Sequence, residues 1–245
     1  MRPTLEAIAE EKIHPPIKTE QELNQEEVYK HTTGICFGEQ NGVEDCREID
    51  AVLIFGTSKQ GCQTACGRYL RDLIEFGNPT DVYVTGGKID ASGYSESDKM
   101  RDIIFANGSL NSSGINFHFE SLSKNTLENV NQAFAQGLAR HEKIAFIGKW
   151  QHCGRCRLTI QKVAPLIRTI FQRGYMVSFL DAPGVLAPEF WFNVPEYKRV
   201  VFEELAKIAC YGERGDIAYP SHIASKISTI KQLFSNLGWL WPVIT

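Results

Sequence analysis

Long apolar runs, an excess of positive charge and the glycine signatures of common phosphate-binding loops are all missing from this chain. No segment approaches the roughly 20 consecutive apolar residues that a membrane-spanning helix needs. The formal net charge of −3 gives no basis for broad electrostatic attachment to nucleic acid or to an anionic membrane. The opening MRPTLEAIAEEKIHPP has one early Arg and no apolar h-region, unlike a secretory signal, so the chain reads as cytoplasmic. Gly56–Gly61 does not follow G-x-G-x-x-G, and G-x-x-x-x-G-K-[ST] is absent; both disfavour the common methyltransferase and P-loop chemistries. Ser58 and Ser121 lack a nucleophile-elbow context. The seven cysteines are an odd number in a large chain, which favours free thiols over a disulfide framework.

What is present is an alternation of strands and helices. Residues 1–47 are polar and Glu-rich, with short helices expected at Leu5–Ile13 and Gln21–Tyr29 as a peripheral extension. From residue 48 the apolar runs Ala51–Phe55, Val82–Val84 and Ile144–Ile147 read as strands, as does the alternating segment Ile115–Phe119, with a fifth at Tyr175–Leu180. Helical spacing lies between them: a first helix closed by Gly77, then Lys99–Ala106, Thr126–Arg140, and a long segment from Leu158 to Arg173. Strands alternating with helices predict a doubly wound, mainly parallel Rossmann-like sheet over residues 48–181. The internal runs are nearly all apolar, as strands covered on both faces should be. Residues 182–245 carry two further helices and the Trp239-Leu240-Trp241 tail, and read as a helical cap packed on the domain.

Polar clusters follow the strands directly. Gly56-Thr57-Ser58, Thr85-Gly86-Gly87, Glu120-Ser121 and Gly148-Lys149 all fall on one rim if the sheet is parallel. Glu96 lies in a first helical turn, where helix capping is an equally good explanation. Ser123, Asn125, Thr126 and Asn129 are poor interior helix residues but good caps and hydrogen-bonding groups. The turn after the fourth strand offers Lys149, His152, Arg155 and Arg157, a set suited to an anionic or hydrogen-bonding ligand.

Four segments carry a resemblance: Gly56 with Arg68; Thr85-Gly86-Gly87 with Ser95-Glu96; Glu120 with Ser123-Lys124-Asn125-Thr126-Leu127-Glu128-Asn129; and His152-x-x-Arg155. Over about residues 50–180 the chain resembles the YdcF-like family, which includes SanA and ElyC (domain of unknown function 218). It departs from the family pattern where Gly148-Lys149 replaces a Thr-Ser pair and Gln151 an aromatic, and at Cys153 and Cys156. The resemblance implies a Rossmann-like domain, with S-adenosylmethionine binding in one branch and envelope-related roles in membrane-anchored ones. Without an anchor, this chain looks like the soluble branch.

Three functions fit these residues. The leading one is binding of a nucleotide-like or phosphorylated small molecule, with S-adenosylmethionine as the candidate cofactor. Arg68, Arg155 and Lys149 would supply charge, and the Gly56 and Gly86-Gly87 amides would approach the ligand. Asn125 and Asn129 would orient it, and Thr57, Ser58, Thr85 and Thr126 would line the same rim. Glu96, Glu120 and His152 are the candidate acid–base groups for group transfer or hydrolysis, His152 being kept neutral by neighbouring arginines. The second is a non-catalytic ligand sensor or interaction protein using the same pocket. The third is a zinc or iron–sulfur protein in which Cys62, Cys66, Cys153 and Cys156 converge. Neither nucleic acid nor membrane is expected as a partner, and oligomeric state is not legible.

Overall fold

A computed structural model describes residues 18–106, 114–177 and 185–244, apart from the side chain of Gln60. Five strands form one all-parallel sheet: β1 (Ala51–Phe55), β2 (Asp81–Thr85), β3 (Asn116–Glu120), β4 (Lys143–Lys149) and β5 (Thr169–Tyr175), in the order β3-β2-β1-β4-β5. The helices are α1 (Glu20–Cys36), α2 (Gln60–Gly77), α3 (Glu96–Phe105), α4 (Thr126–Ala135), α5 (Cys153–Val163), α6 (Pro195–Arg214) and α7 (Ser221–Asn236). This is the expected doubly wound Rossmann-like fold. Among the described residues, no helix is long and apolar enough to cross a membrane.

The two-residue period of a strand sorts its side chains into two cores. Val52 and Ile54 of β1 join Leu70 and Leu73 of α2 and Met100 of α3 on one face. Ala51, Leu53 and Phe55 join Val130 of α4 and Ile160 of α5 on the other. A third core holds Val28 and Ile35 of α1, Val201, Leu205 and Ile208 of α6, and Ile227 and Phe234 of α7, with Leu158 of α5 and with Trp191 from the turn before α6. The two terminal extensions therefore form one helical layer over α5. Gly154 permits the contact, because a Cβ there would lie 1.8 Å from the Ile35 carbonyl oxygen. Trp239 and Trp241 pack on this layer while Leu240 stays exposed.

Several expected boundaries move. The segment read as one helix to Arg173 breaks after Val163, because Pro165 cannot continue a helix and pushes Ala164 out of helical geometry (ψ 64°). The chain then pairs as β5 along β4, from Thr169 opposite Lys143 to Tyr175 opposite Lys149, so the fifth strand ends where it was expected to begin. Residues 178–180 of that expected strand lie outside the described residues, as do the expected helix Leu5–Ile13 and the boundary at 181/182. The stop of α2 is Asn78 in the left-handed region (φ 50°), not Gly77. Gly77 instead makes room for the Cys46 carbonyl, 2.7 Å from where a Cβ would sit. The helix expected to reach Arg140 ends at Ala135, ahead of the left-handed Gly137.

Candidate functional site

The strand ends Phe55, Thr85, Glu120, Lys149 and Tyr175 come level along one rim, through the pairs Phe55–Thr85, Thr85–Glu120 and Lys149–Tyr175. The chain order reverses between β1 and β4, and ligands of open α/β sheets bind in the crevice beyond that point. A cavity of about 400 Å³ lies there, within the range of small-molecule sites. Of the expected residues, it is lined by Gly56, Glu96, Asn125, Thr126, Asn129, Lys149, His152 and Arg155.

At its floor is a buried ion pair. Arg155 of α5 donates from Nε to Glu204 Oε1 and from Nη2 to Oε2 at 3.3 Å, and from Nη1 to the Thr126 hydroxyl. Glu204 comes from α6 and is 1% exposed. Burial raises its carboxyl, but Arg155 and then His152 outweigh burial and hold it at about 2. Arg155 stays charged for the reciprocal reason: burial disfavours its charge, and Glu204 more than restores it. His152 Nε2 lies 3.6 Å from Glu204 Oε2, with the ring 28% open to the cavity. Burial lowers its basicity; Glu204 opposes this, and Arg155, Lys149 and Lys207 reinforce it, so His152 is neutral at neutral pH. Of the two arginines expected to act on His152, only Arg155 does so. Arg157 turns away to donate to the Ile170 carbonyl at 3.1 Å.

Glu96 is half-buried at the start of α3, and burial raises its carboxyl above the usual range against the pull of Lys149 and Lys88. A backbone hydrogen bond from Ser58 holds it, which gives exposed Ser58 an indirect place at the site. Gly56 and Gly86 are needed here for close approach. A Cβ on Gly56 would meet the Thr85 carbonyl oxygen at 2.4 Å, and one on Gly86 (φ 137°) would meet Glu96 Oε2 at 3.0 Å.

No protein-family model matches the chain, and no curated protein matches it. Family membership therefore remains an expectation from the four segments.

The structure corrects several expected roles. Arg68 is exposed on the third turn of α2 and does not line the cavity. The amides of Gly56 and Gly87 are already committed, to the Thr85 carbonyl at 2.7 Å and the Ser123 carbonyl at 2.9 Å, so these two do not face a ligand. Thr85 is buried and its hydroxyl donates back to Ile54. Buried Thr57 accepts from the Gln63 amide through its carbonyl at 2.8 Å, which fixes the loop after β1. Glu120 is buried and accepts from the backbone N–H groups of Leu122 and Ser123, so it shapes the β3–α4 loop from outside the cavity. Asn125 caps α4 through Glu128, accepting at 2.9 Å and donating at 2.6 Å, while Asn129 accepts from Ser123. The run of four polar residues thus builds the loop as much as it lines the cavity.

The two cysteine pairs do not converge. Cys62 and Cys66 sit in the core under α2, and Cys153 and Cys156 in the core on the opposite sheet face. Burial raises all four thiols, least suited to metal ligation where thiolate is needed. Among the described residues no group of three or more His, Cys, Asp or Glu could hold a metal ion. Such an arrangement does not fit zinc or an iron–sulfur cluster.

Sequence reasoning missed Lys88, Lys124, Lys207, Tyr175, Tyr211 and Glu204. Glu204 had a signal: it stands on the apolar stripe of α6 beside Val201, Leu205 and Ile208, where an unpaired carboxylate would be costly. Lys207 and Tyr211 follow it on the same helical face, at i+3 and i+7.

Proposed function

We propose that the cavity binds a small polyanionic, phosphorylated molecule. One observation supports this most: Lys88, Lys124, Lys149 and Lys207 all line the cavity, and among the described residues none of their ammonium groups forms an ion pair. The buried arginine, by contrast, is already balanced by Glu204. The lining carboxylate, Glu96, has its charged form disfavoured by burial. An unbalanced cluster of four cations in a chain of net charge −3 is a local field that favours an anion.

The same field disfavours S-adenosylmethionine, whose sulfonium and ammonium outnumber its single carboxylate. Glu96 and His152 face the same cavity with opposite bias, Glu96 toward its protonated and His152 toward its neutral form. Such a pair suits acid–base work in group transfer or hydrolysis of a phosphorylated substrate. Isothermal titration tests the binding: pyrophosphate should bind at low salt and S-adenosylmethionine should not, and Lys149→Ala with Lys207→Ala should weaken pyrophosphate binding at least tenfold. Equal binding of both compounds, unaffected by the lysines, refutes the reading. Saturable binding and thermal stabilisation with no turnover of any phosphorylated compound would make the protein a ligand sensor.

A further inference from the structure

A second, smaller chamber of about 160 Å³ adjoins the basic cavity and shares Asn125, Thr126, Arg155 and Tyr211 with it. Its character is different. Leu127, buried Ile217 and the Tyr211 ring supply apolar and aromatic walls. Its cations are arginines, and both are paired: Arg155 with Glu204, and Arg214 with Asp216. Arg214 also lies over the Tyr211 ring, 5.1 Å from its centroid, so the pair stays against that wall. The larger cavity holds the unpaired lysines, and the smaller one holds no lysine and only neutralised arginines, which divides the site into an anion chamber and a neutral one. Apolar walls with a few polar groups at the edge suit a flat heterocycle, whose faces need apolar contact and whose rim needs hydrogen bonds.

We propose that this side chamber receives the base of a nucleoside phosphate whose phosphates lie among the lysines. The inference rests on the phosphorylated-ligand reading and narrows it from any small phosphate to a nucleotide. Leu127 and Ile217 supply apolar contact to the base, Tyr211 offers the part of its ring that Arg214 leaves open, and Asp216 and Asn125 offer acceptors and donors at its rim.

The probes are adenosine 5′-monophosphate, ribose 5-phosphate and pyrophosphate, titrated calorimetrically into the full-length protein at low salt. Base–aromatic stacking of ordinary strength makes the nucleotide about ten- to a hundredfold tighter than ribose 5-phosphate. Leu127→Trp, which fills the chamber, should bring the two within about threefold while leaving ribose 5-phosphate and pyrophosphate unchanged. Tyr211→Ala should cut the nucleotide's advantage in the same direction, and serves if Leu127→Trp does not fold. If nucleotide and sugar phosphate bind wild-type protein equally, or the sugar phosphate binds tighter, the base assignment fails while the phosphate reading stands. If none of the three binds, both fail.

Discussion

Replacing Glu204 with Gln should be among the most damaging single changes to stability, for a reason visible in the geometry. Glu204 is 1% exposed and bridges Arg155, whose side chain is 11% exposed. Replacing the carboxylate with a neutral amide keeps one acceptor oxygen for Arg155 beside the Thr126 hydroxyl but leaves the buried guanidinium without a countercharge, and uncompensated buried charges of this kind cost about 3–5 kcal/mol. Linkage gives a similar figure. A carboxyl held at about 2 instead of its ordinary 4.5 contributes about 3 kcal/mol at neutral pH. In a chain of 245 residues that corresponds to a melting temperature lower by about 6–20 °C at pH 7. Calorimetry at neutral pH measures it. A double change, Arg155→Met with Glu204→Leu, should recover most of the loss, because two apolar groups replace the pair without leaving a charge behind. A Glu204→Gln melt within 2 °C (roughly 0.5–1 kcal/mol) of wild type, or a double variant no better than the single, would sink this reasoning.

Two groups with depressed folded-state values make the candidate site itself contribute to the acid limb of stability. Glu204 gains its stabilisation above its ordinary value and loses it as pH falls toward about 2. His152 is neutral in the folded state, so the unfolded chain takes up its proton first and stability declines as pH drops below 6.5. His152→Gln should therefore flatten the decline between pH 6.5 and 4.5 in pH-dependent melts; an unchanged slope contradicts it. Gly154→Ala should cost about 1–3 kcal/mol in chemical denaturation by forcing α1 off α5, because the new methyl would overlap the Ile35 carbonyl. Arg68→Ala should leave stability within about 0.5 kcal/mol and ligand affinity unchanged, which separates the observed geometry from the role that the family resemblance implies. Chelators should alter neither melting temperature nor ligand affinity, given the separated cysteine pairs.

Much of the fold was legible because parallel βαβ units have a strong pattern: largely apolar strands, here clearest in the central β1, β2 and β4, separated by amphipathic helices. Gly56 and Lys149, directly after or at the ends of their strands, could be placed on one rim from that pattern alone. Helix ends were harder. Pro165 carried the signal that ended α5, yet the apolar spacing beyond it continued to look helical, and β5 was displaced as a result. The site's floor was hidden for a different reason. Arg155 and Glu204 are 49 residues apart, and no local period announces which buried arginine a distant carboxylate will meet. Lys88, Lys124 and Lys207 look like ordinary surface lysines until the loops after β2 and β3 and helix α6 close around the same space. The glycines after β2 were visible as a tight turn, but their partners were loop backbone and the Glu96 side chain rather than a ligand.

Phosphorus NMR of pyrophosphate in the presence of the protein tests the central claim most directly. The resonances should shift and broaden with wild-type protein at low salt, and return to the free positions in Lys149→Ala/Lys207→Ala or on raising the ionic strength. Sharp, unshifted lines with folded wild-type protein, or shifts indifferent to both lysines and salt, would contradict a basic phosphate cavity at the sheet's carboxyl rim.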